Sequence, residues 1–383
     1  MIAQNTVDAE EVRQVVVAYL QQGFTWRTQG YRCQTRMAQD VLVKAALERS
    51  SIEATCASLH EVVSGNTLRE QLNRALRVED LRQQEAEMNA ALSAGLPLEV
   101  PRGGVQLALD THDEPCYAKT AALLDYTCPG KAKAGTTHFL RLASVYLLWR
   151  DLRVTLALTY VLPTDTTVAV VERLLERVAA LGFHHTLLFM DKGFCSGEVI
   201  RLLQKRRQKA LIACPIRGKQ GGTRALCKGK GSYSTDYTFS DGTTVRLVVV
   251  LTRVPDASGK PRRKWLLFVT LRLNWSPRQV YQRYRRRFGI EASYRILRQA
   301  RATTHSRNVA LRFFLLGLAL LLQNIWMLIR WCIARLPARG PRRVDPTLLR
   351  FADFKRLLLY TIHRLYALVL AVPAFRPLQI VIH

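Results

Sequence analysis

Between Phe313 and Ile329 the chain carries no charge, reading Phe-Phe-Leu-Leu-Gly-Leu-Ala-Leu-Leu-Leu-Gln-Asn-Ile-Trp-Met-Leu-Ile. A run this apolar must be hidden, either in lipid or inside the protein. It sits at the short edge of the roughly 17–25 residues that a membrane-crossing helix needs. Gln323 and Asn324 are costly at a bilayer centre, and Arg312 and Arg330 bracket the run. We therefore expect a helix buried in a protein core. A chain of 383 residues, 49% of them hydrophobic, is long enough to build such a core from more than one domain.

Charge narrows the partners. Lysine and arginine number 57 against 29 acidic residues, a formal net charge of +28. The excess is spread along the chain, which favours a polyanion, most simply nucleic acid, with an anionic membrane surface as the competing explanation. The eight cysteines form no Cys-x-x-Cys pair, so neither a zinc site nor a disulfide framework is indicated. A reducing cytoplasm fits. The polar, acidic start of the chain, Met1 to Glu10, does not read as a signal peptide.

Residues 1–98 read as helical. Apolar stripes run through Val12, Val15, Val16, Val17 and Leu20, and through Met37, Val41, Val43, Ala46 and Leu47. Two short helices, one opening at Ser51 and one at Thr67, flank a turn containing Gly65. That pattern suits a helix-turn-helix that reads a DNA end, or equally a plain helical module. Pro97, Pro101 and Gly103-Gly104 mark a boundary.

The pattern then changes. Val105 to Asp110 is a short apolar strand ending in an aspartate. His138–Leu148 and Leu152–Leu162 form a hairpin, and Thr166 precedes a helix. Thr186 to Asp191 is a second strand ending in an aspartate, and Ala210–Cys214 is a further buried strand. The expectation is an α/β fold with a mixed sheet over 99–333, its aspartates at strand ends where open α/β sheets build their sites. A basic, β-rich insertion occupies about 217–272. C-terminal helices occupy 334–383.

After the insertion comes a helix start of unusual content. Ser276 can cap it, Pro277 suits its first position, and Gln279 completes a capping box. Five arginines lie between Arg278 and Arg287, followed by one carboxylate, Glu291. On an ideal helix Tyr284, Arg287, Glu291 and Arg298 fall on one face. A solvated basic helix with an internal Arg–Glu pair explains this as well as a site does.

Three carboxylates stand out in a chain poor in acids: Asp110, Asp191 and Glu291. Hard divalent cations take oxygen ligands of this kind, and paired metals can drive phosphoryl transfer. Asp113 and Glu114 compete with Asp110 for the first place. The segments Leu109-Asp110-Thr111, Met190-Asp191-Lys192-Gly193-Phe194 and Tyr284-x2-Arg287-x3-Glu291-x6-Arg298 resemble those of DDE transposases of the insertion-sequence type. The subgroup concerned has the Tyr-Arg-Glu-Lys signature; Arg298 stands where the family usually has lysine. The resemblance implies an RNase H-like core, with two Mg²⁺ ions (or Mn²⁺) held by Asp110, Asp191 and Glu291. It also implies cleavage at transposon ends and strand transfer into target DNA. Tyr284, Arg287 and Arg298 are expected on DNA phosphates, and Trp265 or Trp275 on an unstacked base. The implied partners are terminal inverted repeats and target DNA, bound by a homodimer in the cytoplasm, at the nucleoid, with no membrane. The alternatives are a catalytically inactive DNA-binding regulator, an RNase H-like nuclease without strand transfer, and a basic protein of a membrane surface.

Overall fold

The computed structural model describes residues 6–117, 120–133, 135–255, 259–287, 294–336 and 340–370. Five helices come first: α1 (Ala9–Gly23), α2 (Thr35–Glu48), α3 (Ile52–Ala57), α4 (Gly65–Ala75) and α5 (Leu81–Ser93). Their starts follow from local chemistry. Asp8 and Glu11 form a reciprocal capping box at α1. Ser51 caps α3, and Ser64 caps α4, which begins two residues before the expected Thr67.

Among the described residues the sheet has nine strands. They are β1 (Gln106–Pro115), β2 (Cys128–Lys133), β3 (Thr136–Trp149), β4 (Leu152–Val161), β5 (Leu187–Met190), β6 (Lys209–Cys214), β7 (Tyr233–Thr238), β8 (Thr244–Pro255) and β9 (Pro261–Leu271). A short helix α6 (Ala121–Leu124) precedes β2, while α7 (Thr167–Ala180) and α8 (Gly197–Lys205) connect β4 to β5 and β5 to β6. At the centre β1, β5 and β6 run parallel. On one side β1, β3 and β4 are antiparallel; on the other, β6 continues antiparallel into β9, β8 and β7. This is the mixed α/β sheet expected of an RNase H-like core. The β-rich segment extends that sheet edge-on through the β6–β9 pairing.

Helices α9 (Pro277–Tyr284), α10 (Val309–Ile333) and α11 (Phe351–Tyr366) follow. The apolar run lies within α10, whose most hydrophobic window is 94% buried inside the protein. It packs on β4, α5 and α2. Gly317 permits the approach to α5, since a Cβ there would meet Met88 at 2.6 Å. One continuous hydrophobic core runs from Val12 to Ile362.

The amide in this helix has a specific task. Among the described residues, strand β4 pairs with β3 alone, so its other edge presents backbone groups that no strand pairs. Asn324 accepts from the Thr155 amide at 2.8 Å and donates to the Thr155 carbonyl at 2.7 Å. Asn89 of α5 does the same for Leu158, at 2.7 and 2.9 Å. Glu85 accepts from the Tyr160 amide at 2.8 Å. Side chains from two helices thus stand in for a missing strand, and the buried edge is satisfied.

Candidate active site

The parallel β1–β5 ladder ends at the pair Leu109 and Met190. The next residue on each chain is an aspartate, so Asp110 and Asp191 emerge side by side at the carboxyl end of parallel strands. One expectation needs correcting. Asp110 does not end its strand, because β1 runs on to Pro115, paired throughout with β3. What stops at Asp110 is the pairing with β5.

Arg287 links the two. Its Nη2 lies 2.9 Å from Asp110 Oδ2 and 3.8 Å from Asp191 Oδ1. Reached through one nitrogen, the two oxygens lie within 6.7 Å of each other. The Arg287 side chain is 6% exposed, against 38% for Asp191. The other oxygen of Asp110, Oδ1, accepts from the Thr111 amide at 2.9 Å.

The expected single helix from Ser276 to Arg298 is not observed among the described residues. Helix α9 ends at Tyr284, and Arg285–Arg287 tightens into a 3₁₀ turn. Side chains three apart eclipse in such a turn, which puts the Arg287 guanidinium over the Tyr284 ring at 5.8 Å. The segment is helical again over 294–297. Glu291 lies outside the described residues.

Tyr284 and Arg287, which the resemblance places on DNA phosphates, are both buried and line one cavity with Asp191. The Tyr284 hydroxyl donates to the Met190 carbonyl at 3.2 Å, and its ring packs on Phe268. Arg298, by contrast, is exposed. With Arg295, Lys133, Thr111 and His112 it lines a cleft of about 510 Å³.

Asp113 and Glu114 are engaged elsewhere. Asp113 receives a two-pronged bond from Arg141, at 2.6 and 3.0 Å. Glu114 pairs with Arg301 and lies 3.7 Å from His112. Trp275 is covered by the Arg283 guanidinium at 4.4 Å. Trp265 lines a largely apolar cavity of about 720 Å³ that also touches Asp191, Tyr281 and Arg287.

One contributor escaped the sequence reading. Tyr294 is buried, shares a 2.8 Å hydrogen bond with the Ser144 hydroxyl, and donates to the Asp110 carbonyl at 3.3 Å. Its ring stacks on His112. Burial, and then the Asp110 charge, push the phenol well above its ordinary pKa, so it remains a proton donor. In the observed β1 Asp110 and His112 turn to one face, and Tyr294 covers both.

The donor set fits a hard divalent cation. Two carboxylates share a point already filled by a positive group, and carboxylate oxygens are the ligands such a cation takes. Among the described residues, no three His, Cys, Asp or Glu side chains cluster as a complete ligand set.

Residues 151–325 match the family model for the transposase DDE domain. Over that span, a little under half of its length, the chain is similar to DDE transposases. The matched span holds Asp191, Tyr284, Arg287, Glu291 and Arg298, while Asp110 precedes it. Among solved structures, the piggyBac transposase synaptic complex with hairpin DNA shares the fold. Its TM-score is 0.56 at 11% identity, covering 96% of this chain and 81% of that one. None of the curated proteins matches the sequence.

Proposed function

We propose that this protein is a DNA transposase of the insertion-sequence type with the Tyr-Arg-Glu-Lys signature. It makes metal-dependent cuts at transposon ends and joins them to target DNA. The observation that carries the reading is the placement of Asp110 and Asp191 at the end of one parallel strand pair, facing a shared cationic group. Asp110, Asp191 and Glu291 hold two Mg²⁺ ions, for which Mn²⁺ can substitute. Bound metal supplies Lewis-acid activation of an attacking oxygen and stabilisation of the leaving one.

The chain's own groups do the rest. Arg298, Arg295 and Lys133 take backbone phosphates in their cleft, where a guanidinium fork suits phosphate oxygens. The Trp265 cavity receives an apolar or aromatic part of the substrate beside Asp191. Helices α3 and α4 contribute to reading the terminal inverted repeats. Pairing two ends calls for a homodimer on DNA, acting in the cytoplasm at the nucleoid. The N-terminal helices, the catalytic sheet and the C-terminal helices divide near 98 and 333.

The test is a strand-transfer assay with the element's own ends, run beside Asp110→Asn, Asp191→Asn and Glu291→Gln. All three variants should lose metal-dependent nicking and keep DNA affinity within about twofold. Nicking without joining would replace the proposal with a nuclease. Binding without nicking by the wild type would replace it with a regulator. Undiminished nicking by all three variants would remove these residues from the site.

A further inference from the structure

We infer that Tyr284 and Tyr294 are positioning residues, each locking the main chain beside one of the two aspartates. The inference rests on the reading of Asp110 and Asp191 as metal-holding carboxylates.

The argument begins at the end of the β1–β5 ladder. Past Leu109 and Met190 the two strands no longer hold each other. The Met190 carbonyl belongs to the peptide that leads into Asp191, and it receives the Tyr284 hydroxyl at 3.2 Å. The Asp110 carbonyl belongs to the peptide that leads out of Asp110, and it receives the Tyr294 hydroxyl at 3.3 Å. That second peptide does more. Its N–H, from Thr111, donates to Asp110 Oδ1 at 2.9 Å. A hydroxyl holding one end of the peptide plane thereby fixes the donor that orients the carboxylate at the other end. Letting the plane rotate would release Asp110 Oδ1.

Both tyrosines are themselves held. Tyr284 packs on Phe268 with ring centroids 4.8 Å apart, and Tyr294 stacks on His112 at 5.2 Å. Ser144, opposite Asp110 in the β1–β3 register, supplies a second partner for the Tyr294 hydroxyl at 2.8 Å. In sequence the pair flanks Glu291. The two tyrosines thus bond to the peptides beside the two aspartates from positions on either side of Glu291 in the sequence. Outer partners of metal-holding groups typically contribute about 10–100-fold to metal affinity or activity.

The experiment uses the full-length protein with Tyr284→Phe and Tyr294→Phe, which remove only the hydroxyls. Free Mn²⁺ is measured by electron paramagnetic resonance without DNA; end cleavage and DNA affinity are measured separately. Each variant should weaken Mn²⁺ binding about tenfold or more and slow cleavage to match, with DNA affinity unchanged. Unchanged Mn²⁺ binding in both overturns the inference. So does weaker DNA binding with Mn²⁺ binding intact, which would make these residues phosphate contacts. If Tyr294→Phe does not fold, Ser144→Ala is read in its place, with the same direction expected. Asp110→Asn run alongside separates the two levels. If it keeps Mn²⁺ binding and cleavage, the site reading fails. If it loses both while the tyrosine variants match wild type, only the positioning role fails.

Discussion

Arg287 Nη2 and Asp110 Oδ2 meet at 2.9 Å with the guanidinium buried, so the centre of the site is held by a positive charge from the chain itself. Removing one partner of a buried pair leaves the other uncompensated. Here the substitution removes a guanidinium that lies against both carboxylates. Arg287→Ala should destabilise the metal-free protein by about 2 kcal/mol, a figure discounted for the partial exposure of Asp191. Thermal melts should show Mn²⁺ restoring more stability to the variant than to the wild type. Equal restoration in both would contradict the role.

The same contrast separates Arg287 from Arg298 on DNA. A residue that neutralises a phosphate adds to the slope of log affinity against log salt. Arg298→Ala should reduce that slope by about 1, and Arg287→Ala should leave it unchanged. Fluorescence-anisotropy titrations across a range of salt concentrations decide it; a reduced slope for Arg287→Ala would put its guanidinium on the DNA.

Asn324 is a structural amide. Replacing it with leucine strands the Thr155 N–H and C=O in the core, which should cost about 2–4 kcal/mol. Leu322→Ala, a cavity in the same buried helix, should cost a similar amount, about 2–5 kcal/mol. Urea denaturation measures both. Wild-type stability in Asn324→Leu would show that the β4 edge does not depend on its surrogate partner.

His363 gives stability a dependence on pH. Burial and then the neighbouring Lys44 ammonium depress its pKa below the ordinary imidazole value, although Glu48 lies 3.6 Å away. The folded state therefore binds its proton less readily than the unfolded chain. This contribution is complete above the unfolded value near ~6.5 and is lost as pH falls through the lowered folded value. Melting temperatures should drop on acidification below about pH 6.5, and His363→Gln should flatten that part of the curve. An unchanged slope in the variant would assign the acid sensitivity to other groups.

Much of this was legible because local chemistry decided it. Asp191 follows a four-residue buried strand and precedes a Ser196-capped helix, signals contained within a dozen residues. The length of β1 was not legible. Residues 110–115 carry no apolar alternation and become strand only through β3, which is distant in sequence. The one-face geometry drawn for Tyr284, Arg287 and Arg298 assumed uniform helical rotation, and the 3₁₀ turn at Arg285–Arg287 breaks that assumption. Tyr294 could not be found at all, since its partners Ser144 and Asp110 lie 150 and 184 residues away.

The long reach of α10 bears on how the protein is made. Asn324 closes bonds to Leu92, 232 residues earlier, and to Thr155, 169 residues earlier. At translation rates of about 5–20 residues per second, the early helices and β4 wait on the order of ten to forty seconds for their partner. During that wait the Thr155 part of the β4 edge lacks its partner, while α5 already serves Leu158 and Tyr160. A chain broken off before residue 309 would lack α10 and leave the Thr155 backbone groups without their partner. Because α10 is made last of these elements, the sheet and the helices that cover its β4 edge are completed together.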